Sequence, residues 1–306
     1  MKKSINIISA AFVAVILLAS CGTERIRYSG PSYVGFADTL NTCPVTVDNA
    51  EYQLAVASTV VCGYDRTYGV EVLPKGSTAI YGRHYEIMDQ AVTIKAGENV
   101  GYIRIKGNYD MIDPALEELL VFNLRLALVN PEEEWDLYGV ETKVQLQKVC
   151  PFDLKTFINW SEHEDGAYGW CIVQSSFLEQ YSQTLEYERL CRTYIEDEEN
   201  NIVRVKGLYY DKYDILIQFD NSDPLDPKVR MTREQVVADT RDCFNTVYGN
   251  GEVLAVDTPG APNYFDSCLQ YAVQYVNCRV AGVGMIGTFV HVFEWISDED
   301  AEAMLK

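Results

Sequence analysis

Histidine is scarce in this chain: three residues in 306, at His84, His163 and His291. No group of Cys and His has the spacing of zinc ligands. Neither a Gly-x-Ser-x-Gly nucleophile elbow nor a glycine-rich phosphate loop occurs. Basic residues are also few, with 25 Lys and Arg against 45 Asp and Glu and a net charge of −20. Binding to a nucleic-acid backbone depends on Lys and Arg displacing counterions. The deficit therefore argues against nucleic acid as a partner, and against adhesion to anionic lipid through a basic patch. There is no repeat of fixed period, no low-complexity tract and no heptad pattern.

What is present begins at the N-terminus. Lys2 and Lys3 precede an apolar run from Ile5 to Leu18, which ends in Ala19-Ser20-Cys21. The run is shorter than the ~20 residues that span a bilayer. Charge, apolar run, small pair and cysteine in this order resemble the bacterial lipobox. The resemblance implies that residues 1–20 are a cleaved signal peptide, that the Cys21 thiol carries diacylglycerol, and that the membrane is a partner through that lipid. Residues 21–30 then read as a tether. Cleavage removes two lysines and no acid, so the mature chain is more acidic still. Directly after Cys21 only Glu24 is acidic, followed by Arg25 and Arg27. Bacteroidetes surface-export signals resemble a short acidic run at this place, so the address is the outer membrane with its face open.

Eight cysteines remain, with no CxxC and no close pair. Export permits disulfides. Several of the eight sit in apolar strand patterns, where a free thiol acts as a small hydrophobe. Most are expected to be buried thiols, with one or two bridges of unknown pairing.

From residue 31 to 150 short strands follow one another. In Gly101–Lys106, Ile103 and Ile105 alternate with Tyr102, Arg104 and Lys106. In Leu120–Leu128 every second residue is apolar and Asn123 and Arg125 point away. This period of two marks half-buried antiparallel strands, and about seven of them make a β-sandwich. Residues 130–139 form an acidic loop carrying Trp135, which is expected to fold back and plug the sandwich end. Proline at position 151 closes the domain.

Several pieces in this half, in order, resemble a Calx-β-type module. They are Ser77-Thr78-Ala79, Gly82-Arg83-His84-Tyr85, Val92-Thr93-Ile94, Ala96-Gly97-Glu98, and an acidic turn before the long strand. Similar immunoglobulin-like sandwiches stand at the front of uncharacterised Bacteroidetes envelope lipoproteins, some encoded beside Sus-like glycan-import loci. The resemblance implies calcium as an optional cofactor at Asp110, Asp113, Glu117 and Glu118. His84, where the family often has Asp, and Pro114 depart from the pattern.

Residues 151–306 read as a second antiparallel barrel or sandwich, so the whole protein is expected to be all-β. Ile202–Tyr210 and Tyr213–Phe219 suggest a hairpin. Leu269, Tyr271, Val273 and Tyr275 share one strand face, opposite Gln270 and Gln274. His291 alternates with Phe289 and Phe293, a core pattern, and Ser297 is an N-cap candidate for a terminal helix. Glu162, Glu164 and Asp165 could form a glycosidase pair only if two of them converged at ~5–10 Å, and adjacent loop residues rarely do. The stronger signal is aromatic: Trp160, Trp170, Tyr209, Tyr210 and Tyr213 cluster near the hairpin, where ring faces could stack on sugars. The reading is a lipid-anchored, non-enzymatic binding or accessory protein with glycan as ligand. The alternatives are a structural or adhesive module contacting another envelope protein, and a glycoside hydrolase.

Overall fold

The computed structural model describes residues 28–181 and 187–306. Cys21, the signal peptide and the tether as far as residue 27 lie outside the described residues. The described chain is nearly all β. Two large apolar cores occur, one built from residues between Val34 and Leu146 and one from residues between Leu154 and Trp295.

The first core lies between two sheets. One sheet joins β1 (Val34–Phe36), β3 (Glu51–Ser58), β7 (Val100–Gly107) and β5 (Tyr85–Ile87) in that order. The other joins β2 (Leu40–Thr46), β9 (Glu141–Val149), β8 (Val121–Ala127), β4 (Arg66–Leu73) and β6 (Ala91–Ile94). The alternating pattern decides what is buried: Ile103 and Ile105 point inward from β7, and Phe122, Leu124 and Leu126 from β8. Across the gap Tyr85 stacks on Phe122, ring centroids 3.7 Å apart. The sheets come close at Gly107, where a Cβ would stand 2.3 Å from Val45 Cγ2.

Strand β2 carries no alternating signal and includes Pro44. It survives because it is an edge strand, paired only with β9 and in parallel. His84 does what an Asp would do in its turn: its Nδ1 accepts the Ile80 amide at 3.1 Å. Burial holds its pKa below the usual histidine range.

The second core is wrapped by one ten-stranded sheet. Its path runs β14 (Lys228–Met231), β13 (Ile215–Asp220), β12 (Ile202–Val205), β11 (Glu188–Asp197), β10 (Gly169–Ser175), β19 (Gly284–Ile296), β18 (Tyr271–Val280), β16 (Glu252–Asp257), β15 (Gln235–Asp239), with β17 (Tyr264–Asp266) also on β18. The sheet curls until its ends meet. Met231 N donates to Asp257 Oδ2 at 2.9 Å, and Phe265 N to Pro227 O at 3.4 Å. Gln235 bridges the Leu216 amide and carbonyl, both at 2.8 Å, as a neighbouring strand would. The result is a nearly closed barrel filled by Phe157, Phe219, Phe265, Phe293 and Trp295.

Short helices decorate it: α1 (Leu154–Phe157), α2 (Ser176–Tyr181), α3 (Thr240–Phe244) and α4 (Asp298–Met304). Ser297 caps α4, its Oγ accepting from Asp300 N.

One expectation needs correction here, and one strand shows an unusual buried face. The hairpin is shorter than expected, because residues 206–214 leave the ladder and bury Leu208 and Tyr209 in the barrel. On β18 the aromatic face is the half-exposed one, while Ala272, Gln274, Val276 and Cys278 point into the core. Gln274 is tolerated there because Asp257 accepts from its Nε2 at 2.8 Å.

A single disulfide is present among the described cysteines. It joins Cys150, just after β9, to Cys268, between β17 and β18, and so ties the end of the sandwich to the barrel. Cys43, Cys171, Cys191 and Cys278 are buried free thiols. Burial pushes Cys43, Cys191 and Cys278 up to about 12.

Candidate functional site

The five aromatic residues singled out by sequence do not form a platform. Tyr209 is fully buried and its hydroxyl lies 2.8 Å from His291 Nε2. Trp170 is buried with Tyr168 and Ala301 beneath α4. Tyr210 is half-buried and donates to Tyr181 O at 2.9 Å. Tyr213 is half-buried in the turn that precedes β13. Trp160 alone among them is exposed, with Lys155 Nζ over its ring. The physical reason is the barrel: rings that are near in sequence alternate between its interior and its rim.

The four acidic residues of the expected calcium turn are not brought together either. Asp110 lies in a single 3₁₀ turn, Tyr109–Met111. The Asp113 carboxylate is engaged locally, Oδ1 accepting from Ala115 N at 2.9 Å. Glu117 and Glu118 are exposed. Among the described residues no three His, Cys, Asp or Glu side chains gather as metal ligands would.

A glycosidase pair is not apparent in the acidic loop. Asp165 binds Arg192, and that hydrogen bond holds its carboxyl below the usual range, opposite to what a general acid needs. Asp257 is the one described carboxyl that burial pushes up, but Met231, Asn263 and Gln274 all donate to it. In the barrel interior His291 stays neutral, its pKa pushed down to about 3 by burial, and its Nδ1 has no partner.

The residues that do converge were partly missed. Trp135, in the loop after β8, lies parallel to Tyr33, ring centroids 5.5 Å apart and 6° between planes. Tyr138 meets Trp135 edge-on at 4.7 Å. Trp135 folds back onto Tyr33 yet stays 37% exposed, so it forms a wall and not a plug. Together these rings border a groove of about 340 Å³ that runs along edge strand β1 and the end of β3. Phe36, Thr39, Ser58, Thr59 and Asp38 complete its lining.

The loop is shaped locally. Asn130 caps a 3₁₀ turn at Pro131–Glu133, and Gly139 takes a positive φ of 66° where the chain turns toward β9. Sequence gave one signal for this site, a tryptophan in a polar, proline-bearing loop. It gave none for Tyr33, just over a hundred positions away.

A larger cleft, of about 590 Å³, opens beside α1. Three of its acids are already engaged: Asp153 caps α1, Glu198 pairs with Lys155, and Asp220 with Arg230. Its rings, Phe152 and Phe219, belong to the core. It offers no aromatic face.

Solved structures resemble the chain at a distance. A protein of unknown function from Bacteroides ovatus is 10% identical, with 86% of this chain and 89% of that chain covered and a TM-score of 0.34. A protein from Bacteroides thetaiotaomicron described as an auxiliary nutrient binding protein is 14% identical, with 84% and 90% covered and a TM-score of 0.27. The calcium binding domain CBD12 of CALX1.1 is 16% identical, with 56% and 78% covered and a TM-score of 0.31. No curated protein matches the chain. Residues 137–306, from the groove loop through the whole barrel, match a family described as "Domain of unknown function (DUF4984)". That match takes in more than half of the sequence, and the chain belongs to this DUF4984 family.

Proposed function

We propose that this protein is a lipid-anchored protein of the outer membrane with a non-enzymatic binding role, and that a glycan lies in the Trp135 groove. One observation carries the reading: Trp135, Tyr138 and Tyr33 border a groove whose polar lining includes Asp38 and Thr39. Flat rings pack against the C–H faces of sugars, and hydroxyl and carboxylate groups bond their edges. The anchor at Cys21 rests on the lipobox-like order of residues at the N-terminus. A place beside a glycan-import system fits such a binder.

Affinity electrophoresis through a panel of polysaccharides tests the reading. Retardation of the wild type, weakened about tenfold in Trp135→Ala, supports it. Migration unaffected by every polysaccharide ends it.

A second reading, a module contacting another envelope protein, is favoured by the β18–β19 hairpin tip. There Val283 and Met285 are about 60% and 59% exposed beside Val247 and Tyr248. Loss of a cross-linked envelope partner in Met285→Asp would select it.

A further inference from the structure

We infer that the groove favours glycans bearing a free amino group, a deepening that rests on the glycan reading above. Asp38 lies in the corner between β1 and β2 and lines the groove. Its backbone carbonyl is taken by Thr142 Oγ1 at 2.8 Å and Asn41 Nδ2 at 3.1 Å, which fixes the corner. Its carboxylate has no hydrogen bond and no ion pair among the described residues.

No Lys, Arg or His lines the groove. The loop that carries Trp135 also carries Glu132, Glu133, Glu134 and Asp136. A concave site with charge of one sign focuses its field on what enters. The basic residue next to the lining is Lys143 on β9, whose amide donates to Thr39 O at 3.0 Å; it is exposed, alternates with the buried Thr142 and lies outside the lining. The buried Arg66 reaches Ser58 Oγ and lies outside the lining. A neutral sugar would stack on the rings and leave Asp38 without an ion pair, whereas an amino sugar would stack on the rings and pair its ammonium with Asp38. An acidic sugar would meet repulsion.

The test uses two tetrasaccharides with the same β-1,4 backbone, one of glucosamine and one of N-acetylglucosamine, titrated into the mature full-length chain by calorimetry. At low salt the amine form should bind about three- to tenfold more tightly. The preference should fade near 1 M salt, where the Debye length falls to about 3 Å. Asp38→Asn, which keeps the backbone bonds, should weaken the amine form more than the N-acetyl form and so remove the preference. Asp110→Asn, at the opposite end of β3, should leave the preference intact and so controls for general acidity.

Equal affinity for the two tetrasaccharides, or a preference that survives Asp38→Asn, overturns the inference while leaving the glycan reading standing. Binding of neither tetrasaccharide overturns it as well, and the glycan reading falls with it only when no polysaccharide retards the protein.

Discussion

The Tyr209 hydroxyl and His291 Nε2 lie 2.8 Å apart inside the barrel, on residues 82 positions distant in sequence. Each gives the other a buried partner, the phenol through its hydroxyl and the imidazole through Nε2, while Nδ1 stays unpaired. The pair explains why Tyr209, which looks like a surface ring in the sequence, is a core residue.

Burial of His291 makes stability depend on pH. His291 has a folded pKa near 3, below the ordinary 6.5. The unfolded chain therefore takes up a proton as pH falls through 6.5 and the folded chain does not. Stability from this residue is present above pH 6.5, is lost progressively down to about pH 3, and then levels. The double variant Tyr209→Phe/His291→Leu removes both partners and should melt within a few degrees of wild type at pH 7.5, with a flatter decline toward pH 4. Parallel pH–melting curves would contradict the assignment.

The Tyr85–Phe122 stack spans the two sheets of the sandwich. Phe122→Ala should cost about 3–5 kcal/mol and lower the urea midpoint of the first domain. A loss below about 1 kcal/mol would mean that the site collapses around the missing ring.

The Cys150–Cys268 bridge closes a loop of 118 residues. Proteolysis between Pro151 and Asp153 should therefore give two bands on a reducing gel and one band without reductant. Cys268→Ser should separate the fragments in both gels and lower stability by about 2–5 kcal/mol. Two bands without reductant from the wild type would refute the pairing.

On the lipobox reading, in which the thiol is the lipid acceptor, Cys21→Ala should abolish fatty-acid labelling in growing cells and leave the precursor uncut. Continued labelling would remove the lipobox reading. Protease shaving of intact cells then decides the face: digestion only after lysis places the groove in the periplasm.

Much of the fold was legible because period-two alternation fixes which strand face is buried. Ile103, Ile105, Phe122, Leu124 and Leu126 behave as their pattern dictates, and Ser297 caps its helix for local reasons alone. The β2 strand was not legible, since an edge position forgives Pro44. The alternation sets Gln274 opposite the aromatic face of β18 without saying which face is buried, and only the tertiary contact with Asp257 accommodates it in the core. The site shows the same division. The sequence by itself determined the lipobox-like order of the N-terminal residues, the acidity and a tryptophan set in a polar loop. Only the tertiary structure decided that Tyr33 meets that tryptophan, that Asp38 shares their groove and that Tyr209 does not, because such neighbours are set by how sheets curl and pair and not by distance along the chain.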